Sequence, residues 1–486
     1  MTTFFNGSTP GPIELPTTAY HHHDVESISE LSSIYLQITR HDDTVPTAEK
    51  IRTVPSRPVI NRNISTRTYP EGGTRAWLVV LGSFSGNMAS FGFMATIGVF
   101  QEYLMTHQLS TQSESSIGWI FSLYVFLSFF GGLQIGPIFD VKGPKVLLIC
   151  GTICLIAGIL LMGISTAYWH FILSTGILCG AGTSLIFTPA LASVGHFFLA
   201  RRALATGIAA AGGAMGGIIF PLMLSVLFPR VGWAWATRIL ALIVGLLCVL
   251  SIVLVRANTV YSKRPTRGLA QYLPDLRILK RPSFAWTTAG VFFMEWGLFV
   301  PIAYIASFAV STHAAPAGFA PVLVTVLNAG SVLGRFVPGL FADRVGRFNS
   351  MIVLLVLCGI AAVGLWVPAT QMSAQNTVLP LTVAFAVLFG FASGANISLT
   401  PVCVGQLCST GEYGRYYATC YTLVSFGTLT GIPIAGMLLK ACDGGYLGVA
   451  VFTTVCYVFG TAAFVMARSK EVGWKLRGKD GKLVVF

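Results

Sequence analysis

The sequence is poor in charge. Of its 486 residues only 10% are Asp, Glu, Lys or Arg, whereas soluble globular chains carry about 25%. With 54% hydrophobic residues and a mean hydropathy of +0.73, this composition excludes an ordinary soluble enzyme and a disordered protein. Reaction signatures are missing as well. There is no GxxxxGK[ST] phosphate loop, which argues against direct ATP drive, and no HExxH helix or GxSxG elbow. The ten cysteines contain no CxxC pair and lie almost wholly within apolar runs. They read as small packing residues rather than a redox or metal set. No cofactor-binding signature is found, so no cofactor is expected. The net charge of +13 would suit a nucleic-acid binder if it clustered on a soluble domain. Here the charges lie between apolar segments, and no nucleic-acid partner is expected.

Long apolar runs are what the sequence does have. Residues 1–75 are polar and rich in Ser, Thr and Pro, with eight acidic and seven basic residues. Such a stretch is expected to form a disordered tail, and it lacks the leading apolar region of a secretory signal. Its His21-His22-His23 run and its sequons at Asn6 and Asn63 are expected to be solvated tail features. Beyond Arg75, twelve runs are long enough to cross a bilayer, which takes about 20 apolar residues. They are 76–100, 117–139, 145–164, 168–190, 203–228, 233–255, 284–309, 318–341, 349–369, 380–405, 415–440 and 446–468. They are too long, and alternate too little, for β-barrel strands. The fold class is therefore an all-α membrane protein with twelve transmembrane helices.

Basic residues orient the chain. The even-numbered breaks carry Lys142 and Lys145, Arg201 and Arg202, Arg344 and Arg347, and Arg415, besides seven basic residues in the central loop. The odd-numbered breaks carry only Arg230 and Lys440. Both termini and every even break are thus expected on the cytoplasmic side. The central loop, 256–283, divides an N-terminal six-helix bundle (76–255) from a C-terminal one (284–468), with a cytoplasmic tail at 469–486.

The halves repeat. Gly136-Pro-Ile-Phe-Asp140-Val-Lys-Gly143 follows span two, and Gly339-Leu-Phe-Ala-Asp343-Arg-Val-Gly346 follows span eight. Gly182 stands before Thr188-Pro189 in span four as Gly394 stands before Thr400-Pro401 in span ten, and Pro221 pairs with Pro433. Three matches in order point to a duplicated, pseudo-symmetric pair of bundles. Many secondary transporters are built from such repeats, with substrate held between the halves near the bilayer midplane.

Three charged residues lie well inside spans: Arg238, Glu295 and Arg335. A charge at the centre of a membrane helix costs about 2.5–3.5 kcal/mol on insertion scales, so each needs a cavity, a partner or a way out. Arg238 lies five residues beyond Trp233, near the outer end of its span, and reads as a snorkelling or packing residue. Arg335 offers a planar fork that fits a carboxylate. The alternative is a structural bond to backbone carbonyls. Asn328 and Asn396 are candidate neutral hydrogen-bonding partners for the substrate, or else for neighbouring helices. Glu295, the one carboxyl deep in a span, is a candidate proton carrier or counter-ion to an arginine. Asp140, Asp343, Arg344 and Arg347 are candidate gating residues, since an aspartate there can meet helix N-termini or arginines across the cytoplasmic face. The competing reading is a surface ion pair. The glycines of span five read as packing.

These residues resemble the major facilitator superfamily, and within it the fungal monocarboxylate-porter-like group, from about residue 71 to 468. The resemblance is carried by Glu71-Gly72-Gly73-Thr-Arg-Ala-Trp77, by Arg202-Ala-Leu-Ala-Thr-Gly207-Ile-Ala, and by Asn328-Ala-Gly-Ser331-Val-Leu-Gly334-Arg335 with Pro338-Gly339 and Ala342-Asp343-Arg344. It implies the major facilitator fold and alternating access driven by an ion gradient, often proton symport of a monocarboxylate. Arg335 stands where animal members place a substrate-binding arginine. Two positions depart from them: Ser331 replaces an aspartate and Ala95 a lysine. The expected function is secondary active transport of a small organic anion by a monomer in a lipid bilayer, with protons as coupling partner and the plasma membrane as its place. Export of a larger secondary metabolite is the alternative. A transporter-like sensor is a third reading, kept open by the long N-terminal segment.

Overall fold

A backbone inside hydrocarbon must satisfy its own N–H and C=O groups, so an apolar run that long becomes a helix. The structure, a computed structural model, describes residues 69–257, 275–312, 319–372, 374–474 and Phe486. Most of the expected N-terminal tail, most of the central loop and residues 475–485 lie outside the described residues. The spans are α1 (Gly73–Thr106), α2 (Ser116–Lys142), α3 (Pro144–Ile164) and α4 (Tyr168–Val194). One continuous helical stretch, Arg202–Leu254, follows. It holds two spans, α5 (202–231) and α6 (233–254), because Gly232 has φ 74° and breaks the helical geometry between them. The C-terminal half contains α7 (Pro282–Ser311), α8 (Val322–Val345), α9 (Arg347–Gln371), α10 (Asn376–Gln406), α11 (Thr410–Ala441) and α12 (Leu447–Val472). Among the described residues the count is twelve, as the sequence predicts, once the 53-residue stretch is divided at Gly232.

The outer surface is apolar. Leu242, Leu246, Val353 and Ile360 are each more than 60% exposed, the reverse of a soluble protein and the condition of a lipid-facing surface. Trp119, Trp169 and Trp235 are exposed near the odd-loop ends of α2, α4 and α6, where amphipathic rings favour the membrane interface. Arg238 is exposed too, its guanidinium 4.9 Å from the Trp235 ring. It lies on the outer surface rather than in the interior.

Within the N-terminal bundle α1 packs on α5 and α6, and α3 on α4 and α6. Within the C-terminal bundle α7 packs on α11 and α12, and α8 and α9 on α10. The bundles meet along two seams, α5 against α8 and α2 against α11. Since α2 corresponds to α8 and α5 to α11 in the sequence repeat, the seams are equivalents of each other. Tight packing at them comes from missing side chains rather than from a hydrophobic effect, which lipid cannot supply.

Candidate functional site

The α5–α8 seam brings Arg335 and Asn328 together. They are seven residues apart, two turns of helix, and so share one face of α8. The opposing face of α5 is built of glycine. A Cβ at Gly207 would collide with the Arg335 carbonyl oxygen, and one at Gly213 would stand 2.9 Å from Arg335 Nη1. At Gly217 it would be 3.3 Å from Asn328 Oδ1. The glycines therefore make the room that these polar groups fill. Arg335 is buried, and its Nη1 donates to the Ala210 carbonyl at 2.6 Å. Its Nε finds no acceptor. Asn328 Nδ2 donates to the Gly217 carbonyl at 3.3 Å.

Glu295 on α7 is buried within electrostatic reach of Arg335, yet the two form no direct ion pair. One buried cation and one buried carboxyl thus lie within electrostatic reach of each other without a direct ion pair. Asn396 does not join them. Its Nδ2 donates to Cys358 Sγ at 3.4 Å, which places it between α10 and α9 inside the C-terminal bundle. The sequence expectation that Asn396 lies with Arg335 in the substrate site is corrected on that ground.

Aromatic rings enclose the same region. Tyr421 on α11 lies within electrostatic reach of both Glu295 and Arg335. Its ring stacks on Phe129 of α2 with centroids 5.4 Å apart and meets Phe187 of α4 at 5.8 Å. Phe91 of α1 meets Phe187 at 4.6 Å, and Phe299 of α7 meets Phe129 at 6.3 Å. The cluster spans both bundles. Sequence reasoning missed it, because in so apolar a chain each ring counts as one more hydrophobic residue. The tyrosines at 413, 417 and 421, spaced by one helical turn, were the available signal.

The even-loop face holds a double clamp. Asp140, at the end of α2, accepts the Gly414 and Arg415 N–H groups of α11, each at 2.9 Å. Asp343, at the end of α8, accepts the Ala203 and Leu204 N–H groups of α5 at 3.1 and 3.2 Å. Each aspartate therefore caps the N-terminus of a helix in the other bundle, where unpaired N–H groups and the helix dipole favour a carboxylate. The repeated motif explains itself. Its first glycine allows the approach: a Cβ at Gly136 would collide with the Gly414 carbonyl, and one at Gly339 would lie 2.9 Å from the Ala203 carbonyl. Its last glycine, Gly143 or Gly346, takes a positive φ at the start of the next helix. Arg347 Nε and Nη2 donate to Asp343 Oδ1 at 3.2 and 3.1 Å, and Nη2 also reaches the Leu199 carbonyl. Arg344 is exposed and takes no part in the clamp, against the sequence expectation. Arg347, the first residue of α9 beyond the break at Gly346, fills that place.

Two further residues tie this face together. Buried Arg202 donates from Nε to the Phe198 carbonyl, from Nη2 to Gly195 and from Nη1 to Gly405 of α10, at 2.9–3.1 Å. In the sequence it looked like one more loop charge. Glu71 accepts the Leu199 and Ala200 N–H groups at 2.7 and 2.8 Å, so the segment before α1 pins the α4–α5 loop. His196 of that loop is buried against the Phe139 ring and beside Arg202.

Burial and, after it, the Arg202 charge pull the His196 pKa from 6.5 to about 4. The folded form therefore holds this ring neutral, while an opened form binds a proton more readily. The stability linked to His196 is complete above pH 6.5 and declines as pH falls toward 4. Thermal stability of the purified protein is expected to drop between pH 7 and 5, and to drop less in His196→Gln.

Among the described residues no group of three or more His, Cys, Asp or Glu side chains is placed to hold a metal. The arrangement instead holds two polar groups at the seam of two bundles and latches one face. Comparison with known proteins agrees with this carrier architecture. Residues 80–381 match the Major Facilitator Superfamily. The MFS transporter asaE of Aspergillus flavus is 37% identical over 407 residues, covering 84% of this chain and 90% of that protein. The riboflavin transporter MCH5 of Saccharomyces cerevisiae is 33% identical over 432 residues, 85% of this chain and 82% of its own. The fujikurins efflux protein of Gibberella fujikuroi is 34% identical over 401 residues, 82% and 83% of the two chains. Among solved structures, the transporter FucP in its outward conformation aligns with a TM-score of 0.63 at 16% identity, covering 81% of this chain and 98% of that one. The chain belongs to the Major Facilitator Superfamily. It is a multi-pass membrane transporter.

Proposed function

We propose that this transporter is a proton-coupled carrier of the monocarboxylate-porter kind, and that its cargo is an organic anion with a flat apolar body. The observation that carries the reading is the Arg335 guanidinium, with its Nε unpaired, at a seam surrounded by aromatic rings. A carboxylate fits the guanidinium fork, and an aromatic or conjugated body fits the rings. This favours a metabolite larger than a simple monocarboxylate. The relatives support such a cargo, since one carries riboflavin, a flat heteroaromatic, and another exports fujikurins. Glu295 is the proton carrier, because it is the buried carboxyl that faces the anion-binding arginine. Asp140, Asp343 and Arg347 latch the cytoplasmic face in the state described here. The even loops are cytoplasmic, as the distribution of basic residues predicts, and the plasma membrane is the proposed site of action, which the span lengths permit.

The test is flux into liposomes under an imposed pH gradient, with a trapped dye for internal pH and a panel running from simple monocarboxylates to aromatic acids. Anion-dependent proton movement is expected, strongest for aromatic acids. Glu295→Gln should lose that movement by about tenfold or more while keeping anion-for-anion exchange, since a permanently neutral group at the carrier position still permits exchange. Anion flux without proton movement in the unaltered protein would remove Glu295 from the mechanism and leave Arg335 in it. No response to any organic anion would overturn the cargo assignment.

A further inference from the structure

The chain enters α1 through residues 69–72, and this short segment is bonded to both bundles. On the N-terminal bundle its anchor is Glu71. The carboxylate accepts the Leu199 and Ala200 N–H groups at 2.7 and 2.8 Å and that of Arg201 at 3.3 Å. The Glu71 N–H donates to the Phe197 carbonyl at 3.0 Å. These bonds hold Glu71 at a φ of 50°, a left-handed conformation that is costly for a residue with a Cβ. The Trp77 ring, 5.2 Å from that of Phe198, packs on the same loop. Two residues before Glu71 the segment reaches the other bundle. The Tyr69 hydroxyl hydrogen-bonds the hydroxyl of Thr410, the buried first residue of α11.

The sequence repeat supplies a comparison. At the entry to α7, Arg281 Nη1 donates to the Leu407 carbonyl of the α10–α11 loop at 3.0 Å and to the Tyr416 hydroxyl of α11 at 3.3 Å. Each half therefore ties its entry segment to the loop between its fourth and fifth helices. Both of these Arg281 bonds stay inside the C-terminal bundle, whereas the Tyr69 bond crosses from one bundle to the other. The loop that Glu71 holds also packs on the start of α11. A Cβ at Gly195 would be 3.0 Å from Tyr413 Cε1, and His196 lies against the Thr410 backbone. This is the end of α11 that Asp140 caps from α2.

We infer that residues 69–71 form a strap across the even-loop face, a third latch beside the two aspartate clamps. Glu71 is its anchor and the Tyr69–Thr410 bond its catch. The anchor moves with the N-terminal bundle and Thr410 with the C-terminal one. Separation of the bundles on this face therefore breaks the catch, and closure remakes it. The strap requires only that this face opens and shuts. It depends on neither the cargo nor the coupling to protons.

Spin labels at Lys145→Cys of α3 and Arg344→Cys of α8 test it in the full chain. Both positions are exposed and lie in opposite bundles, and the exposed Cys150 and Cys442 are first replaced by Ser. Tyr69→Phe and Thr410→Val each remove one hydroxyl and keep the shape of the side chain. Loss of a single hydrogen bond changes an equilibrium by about two- to tenfold, so each variant should raise the longer-distance population by about that factor. The double variant should raise it no further than either single, because both changes remove the same bond. Additive effects in the double variant would overturn the catch, since two separate contacts would then have been lost. An unchanged distance in both singles, with an opened face in Asp140→Asn/Asp343→Asn, would overturn the strap and leave the clamps standing. A face that stays shut in every one of these variants would overturn the strap as well. The distances are measured without cargo or pH gradient, so failure of the strap is separate from failure of the proposed transport.

Discussion

Arg335→Ala should abolish anion flux, with a loss of about a hundredfold or more, while leaving the folded protein at least as stable. Removing one member of a buried, hydrogen-bonded charge pair costs about 2–5 kcal/mol of binding, or about thirtyfold to several thousandfold. The effect on stability runs the other way. Arg335 has a single hydrogen bond, to Ala210, and no direct ion pair. A buried cation whose desolvation is offset only by the Ala210 carbonyl is a burden on the fold. Arg335→Lys should not rescue transport, because a point ammonium cannot reproduce the bidentate fork. Flux in liposomes together with thermal unfolding in detergent checks both halves. Parallel loss of flux and stability would assign Arg335 to holding the α5–α8 seam and remove it from the substrate site.

The parts of this molecule that were legible in its sequence are those fixed by local rules. Span length follows from bilayer thickness, so the twelve helices fall close to the expected ranges even though α5 and α6 run on through Gly232. The repeated GxxxDxxG motif could be read because each of its positions answers to one local requirement: close approach, capping, or positive φ. What could not be read is which way an interior helix faces. Helix α10 is apolar nearly all round, so periodicity does not say whether Asn396 meets α8 or α9. Arg202 was hidden among loop charges because the positive-inside pattern and a buried three-carbonyl anchor use the same residue type. The aromatic enclosure was hidden because its members lie on α1, α2, α4, α7 and α11 and come together only through folding.

The double replacement Asp140→Asn with Asp343→Asn should open the even-loop face, an effect larger than either single change. Each carboxylate accepts two N–H groups at a helix N-terminus of the opposite bundle. A cap of this kind contributes about 1–2 kcal/mol. An amide keeps one acceptor oxygen but loses the charge, so each single variant should weaken the latch without releasing it. The two clamps lie on separate seams and share no partner, so their losses should add. Together they remove about 2–4 kcal/mol from the closed face, which changes the closed-to-open ratio by about thirtyfold to a thousandfold. Spin labels placed on the α2–α3 and α10–α11 loops would report this as a longer distance population in the double variant. The singles should show a minor fraction of it. Asp343 also binds Arg347, which in turn holds the Leu199 carbonyl, so the Asp343 single should open more than the Asp140 single. An unchanged distance distribution in the double variant would mean that Arg202 and its three carbonyls hold the face without the aspartates. The gate would then be a buried cation anchor rather than a pair of helix caps.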